Sequence, residues 1–231
     1  MKICTSTQRW THLFSMQETL QKHAEAGFDA IDLSLYDLEK TTILDSPNYL
    51  EQAAIIRDMA SSNGLEILQA HAPFSHHWTD EEGIARVIRS IEVCGVAHIP
   101  NIVVHPCFLG DRQYNEKQKE YFDINVSYYN RLRPYAEKAG VNIAIENMFV
   151  WDSQKNKIAP SIFSTAEEMI DMLEVLDGPF TVCLDVGHTN LNGAQTAEEM
   201  IKKLGKEHLG CLHIHDNDGI SDLHTLPLTQ K

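Results

Sequence analysis

The sequence predicts an α/β fold, a parallel (β/α)8 TIM barrel that lacks its last βα unit in this chain. Three observations carry that prediction. Apolar runs rich in Val, Ile and Leu alternate with longer amphipathic segments, at a spacing of about 30 to 40 residues that suits strand–helix–strand crossovers. Glycines recur where a helix should end and the next strand begin. Five of the runs end on an ionisable side chain, in LQAHAPF, NIVVHPC, VNIAIENM, TVCLDVGH and CLHIHDN.

Taken in order, strands are expected near 2–6, 30–35, 66–72, 101–106, 141–147, 180–186 and 211–215. Between them lie helix-like stretches such as YLEQAAIIRDMASSNG and GIARVIRSIEVCG. The hexapeptide TAEEMI occurs at 165–170 and again at 196–201. Each copy reads as a capping box, Thr165 with Glu168 and Thr196 with Glu199, in which the hydroxyl accepts from an orphan amide and the glutamate reaches back. Gly27, Gly64, Gly140, Gly178 and Gly210 are expected to close helices in the left-handed conformation. Seven strands leave a closed barrel one βα unit short. After the last of them comes only DNDGISDLHTLPLTQK. An open edge would expose unpaired backbone groups, so the natural protein is expected to be longer.

A chain of 231 residues, 43% apolar and 23% charged, can bury one good core. It reads as a single domain over 1–231, with no linker or low-complexity tract. No apolar run approaches the roughly 18 residues of a membrane span. The N-terminus MKICTSTQRW lacks the apolar stretch of a secretion signal. Five cysteines without a CxxC pair fit reduced thiols in a cytoplasm. The net charge of −14 counts against nucleic acid as a partner, because binding along phosphates draws on a basic face. It fits bound divalent cations and a well-solvated surface equally.

Strand side chains alternate between two faces. If His71, His105, Glu146, Asp185 and His213 all point inward, the inward residues two positions earlier are Gln69, Val103, Ala144, Cys183 and Cys211. These are mostly small, as a crowded barrel axis demands. The outward set is Leu68, Ala70, Ile102, Val104, Ile143, Ile145, Val182, Leu184, Leu212 and Ile214, all aliphatic, as a helix-covered face should be. One phase assignment serves five strands. The five polar groups then converge at the carboxyl ends of the strands, where barrel enzymes carry their chemistry.

Buried carboxylates without a positive partner cost several kcal/mol each. Lys and Arg are missing from these strand ends, so a divalent metal is the natural counter-charge. Mixed imidazole and carboxylate ligands suit Zn, Mn, Co or Fe better than Mg or Ca. His188, three residues beyond Asp185, and Asp222 with His224 in SDLH extend the ligand set. His76, His77 and His215 complete a histidine-rich rim. The first two read equally well as loop surface, and His215 shares the inward phase of His213 at or past the strand end. His12, His23, His98 and His208 read as structural. Cys4, Cys183 and Cys211 read as small fillers rather than ligands. Asp32 either faces the pocket or pairs with a neighbour. Trp10, Phe74, Trp78 and Trp151 lie near strand ends, where they could pack on an apolar ligand face or in the core.

HAPF, HP after the fourth strand, IEN, LDVGH and LHIHDNDG…SDLHTLP, in this order, resemble the xylose isomerase-like TIM-barrel superfamily. Within it the look is of the sugar phosphate isomerase/epimerase group, which is related to endonuclease IV. The resemblance spans essentially the whole chain and implies two types of site. Ketose epimerases hold one metal through Glu, Asp, His and a final Glu, which maps onto Glu146, Asp185 and His213, with no counterpart here for the last. Endonuclease IV holds three zinc ions. Its pattern gives His71, His105 and Glu146 to one ion, Glu146, Asp185 and His213 to a second, and His188, Asp222 and His224 to a third. The implied cofactor is therefore a divalent metal, Zn or Mn, in one to three copies.

The function expected on this basis is a metal-dependent sugar or sugar phosphate isomerase/epimerase. It would work by proton transfer through an enediolate on a ketose-like substrate. Glu146 would remove the proton alpha to the carbonyl, and His188 would hydrogen-bond a sugar oxygen. The strand-eight Glu that supplies the second acid/base in the epimerases has no match. The alternatives are an endonuclease IV-like phosphodiesterase on abasic DNA, an inosose dehydratase-like lyase, and a binding or inactive relative that keeps the fold and metal but turns over nothing. The expected partner is a small-molecule sugar, with no membrane; a homo-oligomer is compatible with the sequence.

Overall fold

Each predicted strand forms, within two residues of its expected bounds, in the computed structural model, which describes residues 2–36, 42–74, 77, 79–109, 114–153 and 155–230. His76 and Trp78 lie outside the described residues. The chain divides into two compact units. One comprises Met1–Phe74, Glu81–Val104 and Pro134–Asn142; the other comprises Ser75–Asp80, His105–Arg133 and Ile143–Lys231. Among the described residues no helix is long and apolar enough to cross a membrane.

In the first unit the strands β1 (Cys4–Ser6), β2 (Ala30–Ser34), β3 (Glu66–His71) and β4 (Asn101–Val104) pair side by side in sequence order, all parallel. The helices α1 (Met16–Glu25), α2 (Tyr49–Ser62) and α3 (Glu81–Ala97) are the crossovers. Ser15 starts α1 with a full capping box to Glu18. Ile31, Leu33, Ala70, Ile102 and Val104 are buried, as are Ala53, Ile56 and Ala60 of α2 and Ile84, Val87 and Ile91 of α3. The crossover helices lie on β3 and β4 and on each other. Asp32 turns out to pair within this unit: it accepts from Gln69 Nε2 at 2.9 Å, and both side chains are buried.

The second unit holds most of α4 (Gln118–Ala139, with Pro134 inside it), then β5 (Asn142–Glu146). An antiparallel hairpin follows, β6 (Phe149–Asp152) with β7 (Lys157–Pro160), which the sequence did not announce. Next come α5 (Ala166–Leu176), β8 (Phe180–Asp185), α6 (Val186–Asn192), α7 (Ala197–His208) and β9 (Leu209–His213). The strands β5, β8 and β9 run parallel, in that order. The inward phase holds here: Ala144 and Cys183 are fully buried, and Cys211 is half-buried. Outward Ile143, Ile145, Val182 and Leu184 are buried, but Ile214 is 55% exposed, because it lies just past the end of the edge strand β9. Residues beyond β9 form a loop closed by mutual backbone hydrogen bonds between Asp216 and Thr225.

Two local expectations need correction. Gly27, Gly64, Gly140 and Gly178 do take positive φ, but Gly210 does not. The register steps from Val182↔Leu209 to Cys183↔Cys211, so Gly210 is the extra residue of a bulge. Its missing side chain admits Thr181, whose Cγ2 would lie 2.5 Å from a Cβ at that position. The second correction concerns the repeated hexapeptide. Thr196 and Glu199 form the complete box. Thr165 accepts from the Glu168 amide, but the Glu168 carboxylate is drawn away to Tyr114 Oη and the Phe163 amide.

The Thr181 hydroxyl donates to the His208 carbonyl at 2.7 Å, so Thr181 is not free to yield. Gly210→Ala is therefore expected to cost about 1–3 kcal/mol of stability, measured by urea unfolding. Thr181→Ser, which removes Cγ2, should recover part of that loss in the double variant. An unchanged midpoint in Gly210→Ala contradicts the close approach.

Candidate metal centre

The centre is built on the ends of β5 and β8, and Asn147 ties them together. Its Oδ1 accepts from the Asp185 amide at 2.7 Å and its Nδ2 donates to the Asp185 carbonyl at 2.9 Å. Asn147 is fully buried, so this pair of bonds stands in for a further rung of the ladder just past the last strand residue. Asp185 is also the N-cap of α6, with its Oδ1 accepting from the His188 amide at 2.9 Å. One residue thus ends a strand, starts a helix and carries a buried carboxylate.

The turn into α6 brings His188 back over the site. Its Nδ1 lies 2.8 Å from the Asn147 carbonyl. A carbonyl can only accept, so the proton sits on Nδ1 and Nε2 is left to face Asp185 Oδ2 at 3.8 Å and Asp222 Oδ2 at 3.7 Å. Fixing the tautomer through the far nitrogen is how metal-binding histidines are commonly held. Burial works to lower the His188 pKa, but Asp185, Asp222 and Glu146 outweigh it and raise the group to about 9.

Glu146, 1% exposed, sits between two imidazoles. His213 Nδ1 lies 2.7 Å from Oε1 and His105 Nε2 lies 2.7 Å from Oε2. Burial works to raise its pKa, but His213 and His105 overcome that and hold it well below the usual carboxylate range. Glu146, Asp185 and His188 present ligand atoms within 4.8 Å of one another, and so do Glu146, Cys183 and His213.

A third group forms the rim: His188, His215, Asp222 and His224, again within 4.8 Å. His215 is the member that sequence reasoning left open; its alternation in phase with His213 was the one available signal. Its Nε2 lies 3.0 Å from Asp185 Oδ1, and its ring stacks on His224 at 3.9 Å between centroids. A Cβ at position 187 would lie 2.1 Å from the His215 ring, so Gly187 is what lets it in. Asp222 is partly buried, which works to raise its pKa, yet His188 and His224 lower it. Asn217 pins the rim loop to α6, donating to the Gly187 carbonyl at 2.9 Å and accepting from Asn190 at 2.8 Å.

The second unit thus brings together His105, Glu146, Asp185, His188, His213, Asp222 and His224 of the predicted set, and adds His215 and Cys183. His71 belongs to the first unit, buried at the end of β3. Its Nδ1–H donates to the Ala72 carbonyl at 3.0 Å, and Tyr36 and Phe74 flank the ring. His23 is structural, buried between Trp10 and Phe28. His77 is exposed beside Thr79. Trp10 and Trp151 are both exposed. The donor set fits a divalent ion of borderline character. It offers buried carboxylates, and in His188 an imidazole whose far nitrogen is tied to a carbonyl.

A family model described as "Xylose isomerase-like TIM barrel" matches residues 20–228. Among solved structures, a D-tagatose 3-epimerase-like protein is 26% identical at a TM-score of 0.72, covering 97% of this chain and 79% of that one. A D-psicose 3-epimerase solved with D-fructose is 20% identical at 0.70, covering 93% and 73%. The 3-keto-D-glucoside 4-epimerase of E. coli is 16% identical at 0.70, covering 94% and 80%. No curated protein matches the sequence.

Two outcomes test the arrangement. Asn147→Ala should weaken metal binding by roughly 10–100-fold, the usual cost of losing a partner that orients ligands, read by equilibrium dialysis. Unaltered affinity would show that Asn147 does not position the site. In chelator-treated protein, the raised pKa of His188 makes its contribution to stability full below about pH 6.5 and lost as the pH climbs towards about 9. The stability difference between wild type and His188→Asn should shrink across that window; a difference constant with pH contradicts the assignment.

Proposed function

The chain belongs to the xylose isomerase-like TIM-barrel family, and we propose that it is a metal-dependent isomerase or epimerase acting on a sugar or sugar phosphate. One observation carries this reading: a fully buried carboxylate, Glu146, clamped by two imidazoles beside a second buried carboxylate, Asp185. The likeness to a D-tagatose 3-epimerase-like protein supports the same class.

Glu146, Asp185 and His213 would hold the ion, with His188 at hand and His105 as a further ligand. Bound there, the ion would polarise a ketose carbonyl and its neighbouring hydroxyl. Glu146 is ionised through the neutral range, the form that accepts a proton. It would take the proton alpha to the carbonyl, leaving an enediolate. His188, with its Nδ1 proton committed to Asn147, presents Nε2 to a sugar oxygen. The rim group of His188, His215, Asp222 and His224 would take a second ion. Zn and Mn are the metals expected, in one to three copies, and the five free cysteines fit a reducing cytoplasm.

The rim group also favours a second reading, a phosphodiesterase on abasic DNA, against which the net charge of −14 weighs. A lyase of the dehydratase kind would begin with the same proton removal. The deciding experiment incubates metal-loaded protein with a panel of ketoses and ketose phosphates in deuterated water. Solvent deuterium should enter the recovered sugar, and Glu146→Gln should slow its entry by about 10²–10⁴-fold. No deuterium in any sugar overturns the isomerase reading. Cleavage of an abasic duplex would establish the second, and loss of water from an inosose the third.

A further inference from the structure

We propose that Cys183 is a thiolate ligand of the metal centre and that it biases the centre towards zinc. The inference rests on the metal-dependent reading above and names a donor outside the carboxylate and imidazole set. Three observations lead to it. In the register of the sheet Cys183 pairs with Glu146 on one side and with Cys211 on the other, so its side chain shares the face of Glu146. Two residues further along, Asp185 pairs with His213. Cys183 therefore lies one layer below the Asp185–His213 pair and level with Glu146.

The second observation is distance. The Cys183 sulfur, a Glu146 carboxylate oxygen and a His213 ring nitrogen all lie within 4.8 Å of one another. Donors around one tetrahedral ion, at metal distances of ~2.0–2.3 Å, stand roughly 3.5 Å apart. Modest rotamer adjustment around an ion closes the difference. Asp185 Oδ2 lies 3.8 Å from His213 Nδ1, at the edge of this trio.

The third is chemistry. Cys183 is fully buried. A small filler would serve that position as alanine, as Ala144 does on β5. Sulfur beside a carboxylate and an imidazole is a donor set that zinc and cobalt accept and manganese or magnesium disfavour. When the ion binds, the Cys183 S–H bond breaks, its proton passes to solvent, and a sulfur–metal bond forms. None of the other four cysteines belongs to a candidate ligand group among the described residues.

The test loads the metal-stripped full chain with Co(II). A sulfur-to-cobalt charge-transfer band should appear in the near ultraviolet, vanish in Cys183→Ser and persist in Cys211→Ser. Zinc affinity in Cys183→Ser should fall by more than the roughly 10–100-fold that an outer partner is worth, while manganese affinity changes little. Cobalt binding by dialysis without the band in wild type overturns the thiolate and leaves the metal-dependent reading standing. A band that survives Cys183→Ser, or disappears in Cys211→Ser, also overturns it. No binding of any ion removes both readings. Should Cys183→Ser fail to fold, the wild-type and Cys211→Ser spectra still decide the question.

Discussion

The site depends on holding two carboxylates where water does not reach. Glu146 and Asp185 are both buried at neighbouring strand ends. An uncompensated buried charge costs several kcal/mol, so the surroundings must answer it. For Glu146 the answer is two imidazoles at hydrogen-bonding distance. For Asp185 it is the His188 amide at the start of α6, then His215. Neither answer is a lysine or arginine, which would occupy the space for good. Imidazoles can surrender a proton and turn towards an ion, and that makes the same cluster stable without metal and suited to it.

The backbone is organised around that requirement. Asn147 bonds both the amide and the carbonyl of Asp185 and, through its own carbonyl, holds His188. Gly187 gives up a side chain so that His215 can lie against the first turn of α6. Asn217 and the Asp216–Thr225 bridge then fix the loop that carries Asp222 and His224. Each of these contacts supports the position of a candidate ligand rather than its chemistry, which is the usual division of labour around metal sites.

Much of this was legible in the sequence. Strand period two, read on five strands together, identified the inward face, and the four left-handed glycines marked where helices close. The polar strand ends named most of the residues that the second unit brings together. What escaped had a physical reason in each case. The helix α6 was hidden because Asp185 ends one element and caps the next. The contact of His213 with Glu146 joins residues 67 positions apart, and no local pattern encodes it. His215 depends on a gap left by Gly187, which sequence shows only as one glycine among several.

The repeated hexapeptide draws the boundary most sharply. The sequence alone determined that TAEEMI starts a helix at both places, since a threonine hydroxyl accepting from the third helical amide is a local bond. At Thr196 the glutamate completes the box; at Thr165 it leaves for Tyr114 and Phe163. Local chemistry chose strands, helices and the polar face. Only the tertiary structure decided which distant groups each carboxylate meets, because a buried charge takes whichever donors the fold brings within reach.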